Sequence, residues 1–190
     1  MKKPLILLFS ILISFNSYGE AELDFSSDTF CEESPKVQVR KNLFFQKRFY
    51  LPNQEKPYSG NNLCIYLSNG QYYNQGKIKN GLRDGKWTYW HENGQLSQER
   101  NYKDGNLVGQ TNYYYYENAQ IRREENWKYP ETVGKKDGKW TWWYLNGQIQ
   151  QKGNYKDGDQ DGKWTYWHEN GQLSQERNYK DGVCVSGDCP

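Results

Sequence analysis

Long apolar runs are almost absent from this chain, and so is an excess of charge of one sign. The mean hydropathy is −1.15, and one largely apolar run, from Leu5 to Phe15, lies near the N terminus. The 25 basic residues nearly match the 23 acidic residues. Because a nucleic-acid-binding protein normally carries a clustered basic excess, we expect no nucleic-acid partner.

Residues 1–19 have the pattern of a secretory signal peptide. Lys2 and Lys3 precede the apolar run, and the small residues Ser17 and Gly19 follow it. The run of 11 residues is too short to cross the ~30 Å hydrocarbon layer, so an uncleaved anchor is the weaker alternative. We expect cleavage after Gly19, a periplasmic or secreted location, and no integral membrane span afterwards. Loss of the two lysines leaves 23 basic and 23 acidic residues.

Histidine is scarce too, which limits metal and catalytic chemistry. The two histidines, His91 and His168, occupy equivalent positions 77 residues apart. The sequence contains no Gly-x-Ser-x-Gly, HExxH, Walker or Cys-x-x-Cys motif. We therefore expect neither an enzyme nor a bound cofactor or metal.

The segment DGDQDG, from Asp157 to Gly162, imitates the start of a calcium-binding loop. Such a loop places a bidentate glutamate at its twelfth position, and this chain has His168 there. We predict a turn at this segment, with weak calcium binding as the alternative.

Aromatic residues, in contrast, are abundant, at 17% of the chain with 8 Trp and 17 Tyr. A buried ring removes ~150–250 Å² from water, so we expect a thin fold with an aromatic core. The 22 residues of segment 84–105 recur without change at 161–182. Such self-similarity predicts a repeat array.

Five repeat units can be recognised from their turns, at Asn69-Gly70, Asn93-Gly94, Asn118-Ala119, Asn146-Gly147 and Asn170-Gly171. The predicted segments are a signal peptide (1–19), an acidic-then-basic leader (20–43), the repeat array (44–182) and a C-terminal disulfide cap (183–190). The unit boundaries are near 58–81, 82–105, 106–134, 135–158 and 159–182.

Each unit is predicted to form a strand, an Asn-Gly turn, a return strand and a second tight turn. Aromatic residues and threonine favour strands, and no segment has a helical period. Asn-Gly favours a two-residue type I′ turn, which would put Trp87, Tyr89, Leu96 and Tyr102 together on the core face. We predict an all-β fold, an open single-layer antiparallel meander of tandem β-hairpin repeats with about ten strands.

The face opposite this core is polar but carries one aromatic residue per unit. We call four of these residues the aromatic ladder: Trp90, Tyr115, Trp143 and Trp167. The ladder is our candidate site for a protein partner, because Trp and Tyr dominate interface hot spots. Two alternatives stay open, namely stacking of cell-wall glycans and ring-on-ring packing that stiffens the sheet.

The repeats GKWTYWHENGQLSQERNYKDG and GKWTWWYLNGQIQQKGNYKDG resemble the bacterial variant of the MORN repeat, as found in YwqK-type antitoxin proteins. The resemblance covers residues 44–182. It implies a non-enzymatic scaffold that binds another protein, and neutralisation of a toxin in the cell envelope is one such role.

Four cysteines in an exported chain indicate disulfides. An open sheet of ten strands, ~4.8 Å apart, separates its first and last strands by far more than the ~7 Å that a disulfide spans. We therefore predict that Cys31 pairs with Cys64 and that Cys184 pairs with Cys189.

Overall fold

The computed structural model describes residues 29–30, 38–41, 47–51, 53–66, 68–129 and 133–190. The predicted signal peptide, most of the predicted leader and Cys31 lie outside these residues. Across the described residues, no helix has the length and apolarity needed to cross a bilayer.

The described residues form strands joined by short turns. In chain order the strands are β1 Thr29–Phe30, β2 Gln38–Lys41, β3 Lys47–Tyr50, β4 Gly60–Tyr66, β5 Tyr72–Lys79, β6 Leu82–Trp90, β7 Leu96–Lys103, β8 Asn106–Tyr115, β9 Ile121–Lys128, β10 Lys135–Lys136, β11 Gly138–Trp143, β12 Ile149–Lys156, β13 Asp159–Trp167, β14 Leu173–Lys180 and β15 Val183–Gly187.

Within the described part of the chain, 13 of these strands form one open antiparallel sheet. Its order is β1-β4-β5-β6-β7-β8-β9-β11-β12-β13-β14-β15, and β10 pairs with β9 off this path. Ten of the strands, β4 to β9 and β11 to β14, are the predicted meander, and the short strands β1, β10 and β15 extend it. The all-β class and the open antiparallel meander are thus confirmed.

The Asn-Gly turns and the Asp-Gly turns differ in geometry, and the Asn-Gly turns are not of the predicted type I′. In the second unit, His91 N–H donates to Gln95 O and Gly94 N–H donates to His91 O, both at 2.8 Å. Gly94 has a φ of 82°, whereas Asn93 is not among the residues with positive φ. These bonds describe a three-residue loop, a type I turn followed by a left-handed glycine.

The asparagine side chain explains this choice, because Asn93 Oδ1 accepts a hydrogen bond from Gln95 N–H at 3.0 Å. The type I′ geometry occurs instead at the Asp-Gly turns. Asp104 and Gly105 have φ values of 49° and 84° and form the two-residue link between Lys103 and Asn106. The calcium-like segment follows the same rule, since Asp157 and Gly158 form a turn of this kind.

The three-residue loop adds a bulge to the return strand, and this bulge changes the face on which one predicted core residue lies. Tyr89 pairs with Gln98, but Trp90 pairs with Leu96, so Ser97 is the extra residue on the return strand. Leu96 therefore faces the same side as Trp90, and its equivalent in the last unit, Leu173, is 56% exposed. The placement of Leu96 in the core was wrong.

The most deeply buried large side chains of the core are indoles that lie on the sheet. Trp87, Trp140 and Trp164 are 1%, 2% and 1% exposed. Trp87 covers Gly76 and Trp164 covers Gly153, where an added Cβ would collide with the indole ring. Glycine at these positions thus permits a flat ring to contact bare backbone in a sheet without a second layer.

Cations and a small hairpin complete this face. The Arg83 guanidinium lies 4.9 Å from the centre of the Trp87 ring, and Lys136 Nζ lies 4.8 Å from that of Trp140. At one end of the sheet, the separate β2–β3 hairpin is attached by a hydrogen bond from Phe49 N–H to Gly81 O at 2.8 Å. Phe49 and Tyr58 pack against the cluster that contains Trp87.

Candidate binding site

All four members of the aromatic ladder lie on the face opposite Trp87. Strand β6 is regular through its end, since the bulge lies on β7, so Trp90 and Tyr89 point to opposite faces. Residues paired across strands share a face, and the registers of the following strands place the other three members, Tyr115, Trp143 and Trp167, on the same face as Trp90. Each of the four side chains is half-buried.

Three of the four ladder rings contact residues that do not belong to the ladder. Trp90 lies 5.7 Å from Tyr72, and Tyr115 makes an edge contact with His91 at 6.4 Å between ring centres. Lys152 Nζ lies 5.2 Å from the centre of the Trp167 ring. Within the described part of the chain, no ring contact joins two of the four. Whether the ladder binds a partner stays a prediction.

The polar side chains of this outer face pair with one another across strands. Lys163 Nζ lies 2.5 Å from Glu176 Oε1, and Lys86 makes the same contact with Glu99 in the identical second unit. Tyr113 also donates a hydrogen bond to Glu99, at 3.5 Å. Burial first, and then the carboxylates of Glu99 and Glu124, raise the pKa of Tyr113 to about 12.

Tyrosine hydroxyls connect the hairpin tips of neighbouring units. Tyr66 donates to Trp90 O at 2.9 Å, which joins the first unit to the second. Tyr116 donates to Trp143 O at 2.7 Å and Tyr144 donates to Trp167 O at 2.8 Å, which join units three to four and four to five. We call these contacts tyrosine bridges. They hold the tips together where the strand pairing between units has ended.

The junction between the second and third units is built differently. His91 occupies the position that Tyr116 and Tyr144 occupy in later units, and an imidazole has no hydroxyl with which to form the forward bridge. Here Tyr115 reaches back instead and donates to Leu96 O at 2.9 Å. Pairing of β7 with β8 stops at Gln98 and Asn112.

A groove of about 870 Å³ lies at this junction. Its walls come from the tip of the second hairpin and from the strands of the third unit, and include His91, Glu92, Gln98, Asn112, Tyr113 and Arg122. Sequence reasoning missed the groove. The available signal was the exchange of tyrosine for histidine at position 91 of an otherwise regular array.

Among the described residues, the opposite face contains one buried carboxylate, and neighbouring side chains donate to it. Glu125, 5% exposed, stands where Gly76 and Gly153 stand in other units. Arg123 Nε lies 2.6 Å from Glu125 Oε1, and Trp127 Nε1 donates to Glu125 Oε2 at 3.3 Å. This arrangement is a structural ion pair. No group of three or more potential metal ligands occurs among the described residues.

The two cysteines that follow the last repeat unit close a small ring. Cys184 and Cys189 form a disulfide with their Cα atoms 5.8 Å apart, as the predicted pairing requires. Cys64 is 4% exposed and is disulfide-bonded. Because Cys31 lies outside the described residues, its pairing with Cys64 stays a prediction, which is supported by the register of Phe30 opposite Ile65.

Three segments of the chain match the family model of the MORN repeat variant. They are residues 83–104, 136–157 and 160–181. Each spans one hairpin, in the second, fourth and fifth units, so the resemblance to the MORN repeat variant is confirmed for these three, whereas the resemblance to YwqK-type antitoxins stays a prediction. MORN repeats of this kind make the chain a repeat scaffold.

The other comparisons add little. No curated protein matches this chain. A solved structure described as the GtfA/B complex bound to UDP and GlcNAc is similar over 65% of this chain, at 11% identity and a TM-score of 0.23. This chain spans 24% of that one. A TM-score this low carries no inference about fold or function.

Proposed function

We propose that this protein is a non-enzymatic scaffold that binds another protein through the aromatic ladder. The observation that carries the proposal is the arrangement of the four ladder rings. They recur once per unit on a polar face, each is half-buried, and none packs on another. Cross-strand ring packing accounts for only part of the ladder, because Trp90 contacts Tyr72, whereas no ring-on-ring contact of Trp143 or Trp167 occurs within the described residues.

The dimensions of the ladder suit a protein interface. Successive ladder residues lie two strands apart, which corresponds to ~10 Å, so the four rings extend over ~30 Å. A patch of that length matches a standard interface of about 800 Å² per partner. Large rings on a polar surface are also the residues that contribute most to such interfaces.

The proposed export determines the compartment in which the protein binds its partner. The proposed signal peptide and the disulfide between Cys184 and Cys189 both indicate an oxidising compartment, periplasmic or extracellular. The resemblance to YwqK-type antitoxins then suggests a toxin of the cell envelope as partner. In this role the protein neutralises the toxin by covering it.

Capture of partners from envelope extract tests the ladder directly. We expect the variant Trp143→Ala/Trp167→Ala to lose capture of the partner while its circular dichroism stays that of a β-sheet protein. Leu145→Ala is the matched control, because Leu145 is apolar, 55% exposed and located in the same hairpin as Trp143, but not on the ladder. Undiminished capture by the double variant would refute the assignment. Binding to purified peptidoglycan that is lost in the double variant would instead favour the glycan alternative.

A further inference from the structure

Two arginines of the second unit converge on one hydroxyl group on the Trp87 face of the sheet. Arg83, near the start of β6, donates from Nη1 to Tyr102 Oη at 3.3 Å. Arg100, which pairs with Trp87 across β6 and β7, donates from Nη1 to the same oxygen at 3.5 Å. The two nitrogens therefore lie no farther apart than these distances combined. A single oxyanion with hydrogen bonds of about 2.8 Å to each nitrogen can bridge such a separation.

The chain provides no negative charge to match these two positive ones. Across the part of the chain that the structure describes, no carboxylate forms an ion pair with either arginine. Arg100 Nε donates instead to the neutral Gln98 Oε1, at 3.2 Å. A guanidinium has five N–H donors, yet Arg83 makes one side-chain hydrogen bond within the described residues, and its buried Nε has no partner. Both cations thus retain N–H donors for a further acceptor.

Aromatic rings of the core hold the two guanidiniums in place. Arg83 Cζ lies 4.9 Å from the centre of the Trp87 ring and 5.5 Å from that of Tyr102. Arg100 Cζ lies 5.0 Å from the centre of the Tyr89 ring. Because the three rings are buried against the sheet, the half-buried arginines form the outer layer of this face. A guanidinium stacked on a ring keeps the planar N–H edge that recognises phosphate in a bidentate manner.

The phenol between the two arginines reports a positive potential at this point. Burial acts to raise the pKa of Tyr102, but the hydrogen bonds and charges of Arg100 and Arg83 outweigh burial and lower it. A negative charge is therefore stabilised where the two guanidiniums meet.

The identical segment of the fifth unit is built differently. Arg83 immediately precedes the repeated segment, and Gln160 stands at the equivalent position. Arg177, the copy of Arg100, donates from Nε to Asp188 O at 2.8 Å. The carboxylate of Asp188 accepts a backbone N–H of β14, also at 2.8 Å. The fifth unit thus has one arginine and a carboxylate of the chain beside its strand, whereas the second unit has two arginines that no carboxylate pairs with in the described structure.

We propose that Arg83 and Arg100 form a binding site for a tetrahedral oxyanion, namely a phosphate or sulfate group. Each guanidinium donates charge-assisted hydrogen bonds to it, and Tyr102 fixes the position of both. A tetrahedral group offers enough oxygens to engage both arginines at once, whereas a carboxylate has two. The site lies on the face opposite the aromatic ladder and does not depend on the protein-binding function proposed above.

The test is an NMR titration of the mature protein at constant ionic strength with inorganic phosphate, sulfate, glycerol 3-phosphate and acetate. We expect phosphate to shift the side-chain N–H signals of Arg83 and Arg100. Binding of glycerol 3-phosphate as well would support a phosphate monoester as the source of the group, and binding of the inorganic ions alone would support a free anion.

Matched variants come from the repeat itself. Arg83→Gln gives the second unit the residue that the fifth unit has, and Arg100→Gln removes the other cation. Each should weaken phosphate binding about ten- to hundredfold, as loss of hydrogen bonds between charged groups predicts, and keep the backbone amide spectrum of a folded sheet. Arg177→Gln, the same change in the identical segment, should leave the affinity unchanged.

Three results would overturn the proposal. They are no binding of phosphate or sulfate, equal weakening by Arg100→Gln and Arg177→Gln, and binding of acetate as tight as that of phosphate. The Trp143→Ala/Trp167→Ala variant keeps both arginines, so it should retain anion binding even where protein capture is lost. Failure of the ladder assignment and failure of the anion site are therefore distinguishable.

Discussion

Replacement of Trp87 or Trp164 by alanine tests where a single-layer sheet obtains its stability. Both indoles are 1% exposed and occupy the same position of two identical segments. Trp87 covers Gly76 and donates from Nε1 to Lys77 O at 3.0 Å. Trp164 covers Gly153 and donates to Asn154 O at 3.1 Å.

The expected cost follows from the buried area. A fully buried indole removes ~200 Å² from water, which at ~25 cal/mol per Å² stabilises the fold by ~5 kcal/mol. Residual structure in the unfolded chain lowers this figure by ~10–40%. We therefore expect each substitution to lower the free energy of unfolding by about 3–5 kcal/mol, as for other buried aromatic residues.

The two substitutions should nevertheless affect different parts of the sheet, because each unit of a repeat array contacts only its neighbours. Trp164→Ala should open β13 to β15 at the C-terminal end and leave β4 to β9 protected from hydrogen exchange. Trp87→Ala should remove protection from β4 to β8, where Phe49 and Tyr58 also pack.

Urea unfolding combined with hydrogen exchange by mass spectrometry measures both effects. Leu145→Ala, at an exposed position, provides the baseline for a neutral apolar truncation. A decrease of less than ~1 kcal/mol in the free energy of unfolding for either substitution would refute the estimate from buried area. Equal loss of protection from exchange over the whole sheet in both variants would refute the expectation that each substitution destabilises only the neighbouring units.

Two further predictions concern the junction groove and the outer face. His91→Tyr should install the missing tyrosine bridge and raise the free energy of unfolding by about 1 kcal/mol, measured by urea unfolding. His168→Tyr should leave the free energy of unfolding unchanged, because the strand that pairs with β14 is the short β15 and not a strand of another hairpin; an equal gain in both variants would contradict this assignment. The pKa of Tyr113, raised from 10.0 to about 12, means that its neutral phenol is favoured in the folded state. Its contribution to stability is therefore complete below about pH 10 and is lost as the pH rises towards 12. Urea unfolding across this pH window should show a smaller loss of the free energy of unfolding for Tyr113→Phe than for the parent. Identical pH profiles would show that Tyr113 does not contribute to the loss.

The strands and the main core could be predicted because strand alternation is strict. Once Trp87 is assigned to one face, Tyr89 and Tyr102 follow in register, and the structure agrees. The error at Leu96 came from the turn. Asn-Gly suits both a two-residue type I′ loop and a three-residue loop with a left-handed glycine, and the two differ by one residue of register.

Local sequence does contain the information that decides between these loops, but it acts through a side chain. Asn93 Oδ1 accepts the Gln95 N–H, and the equivalent bond recurs at Asn69, Asn146 and Asn170. The Asp-Gly turns instead adopt the left-handed conformation at both positions. One-residue differences in a turn thus decide which apolar side chains reach the core.

The groove could not be predicted from either copy of the repeated segment alone, since the two copies have the same residues. His91 and His168 are identical in sequence context, yet only His91 meets a following unit whose strand provides Tyr115 as a neighbour. Trp90 likewise contacts Tyr72, whereas its twin Trp167 lies beneath Lys152. A repeated segment specifies its own hairpin, and the preceding and following units specify its surface. A function that distinguishes the second unit from the fifth must therefore reside at a junction between units, and the junction after His91 is the one that departs from the tyrosine-bridged pattern.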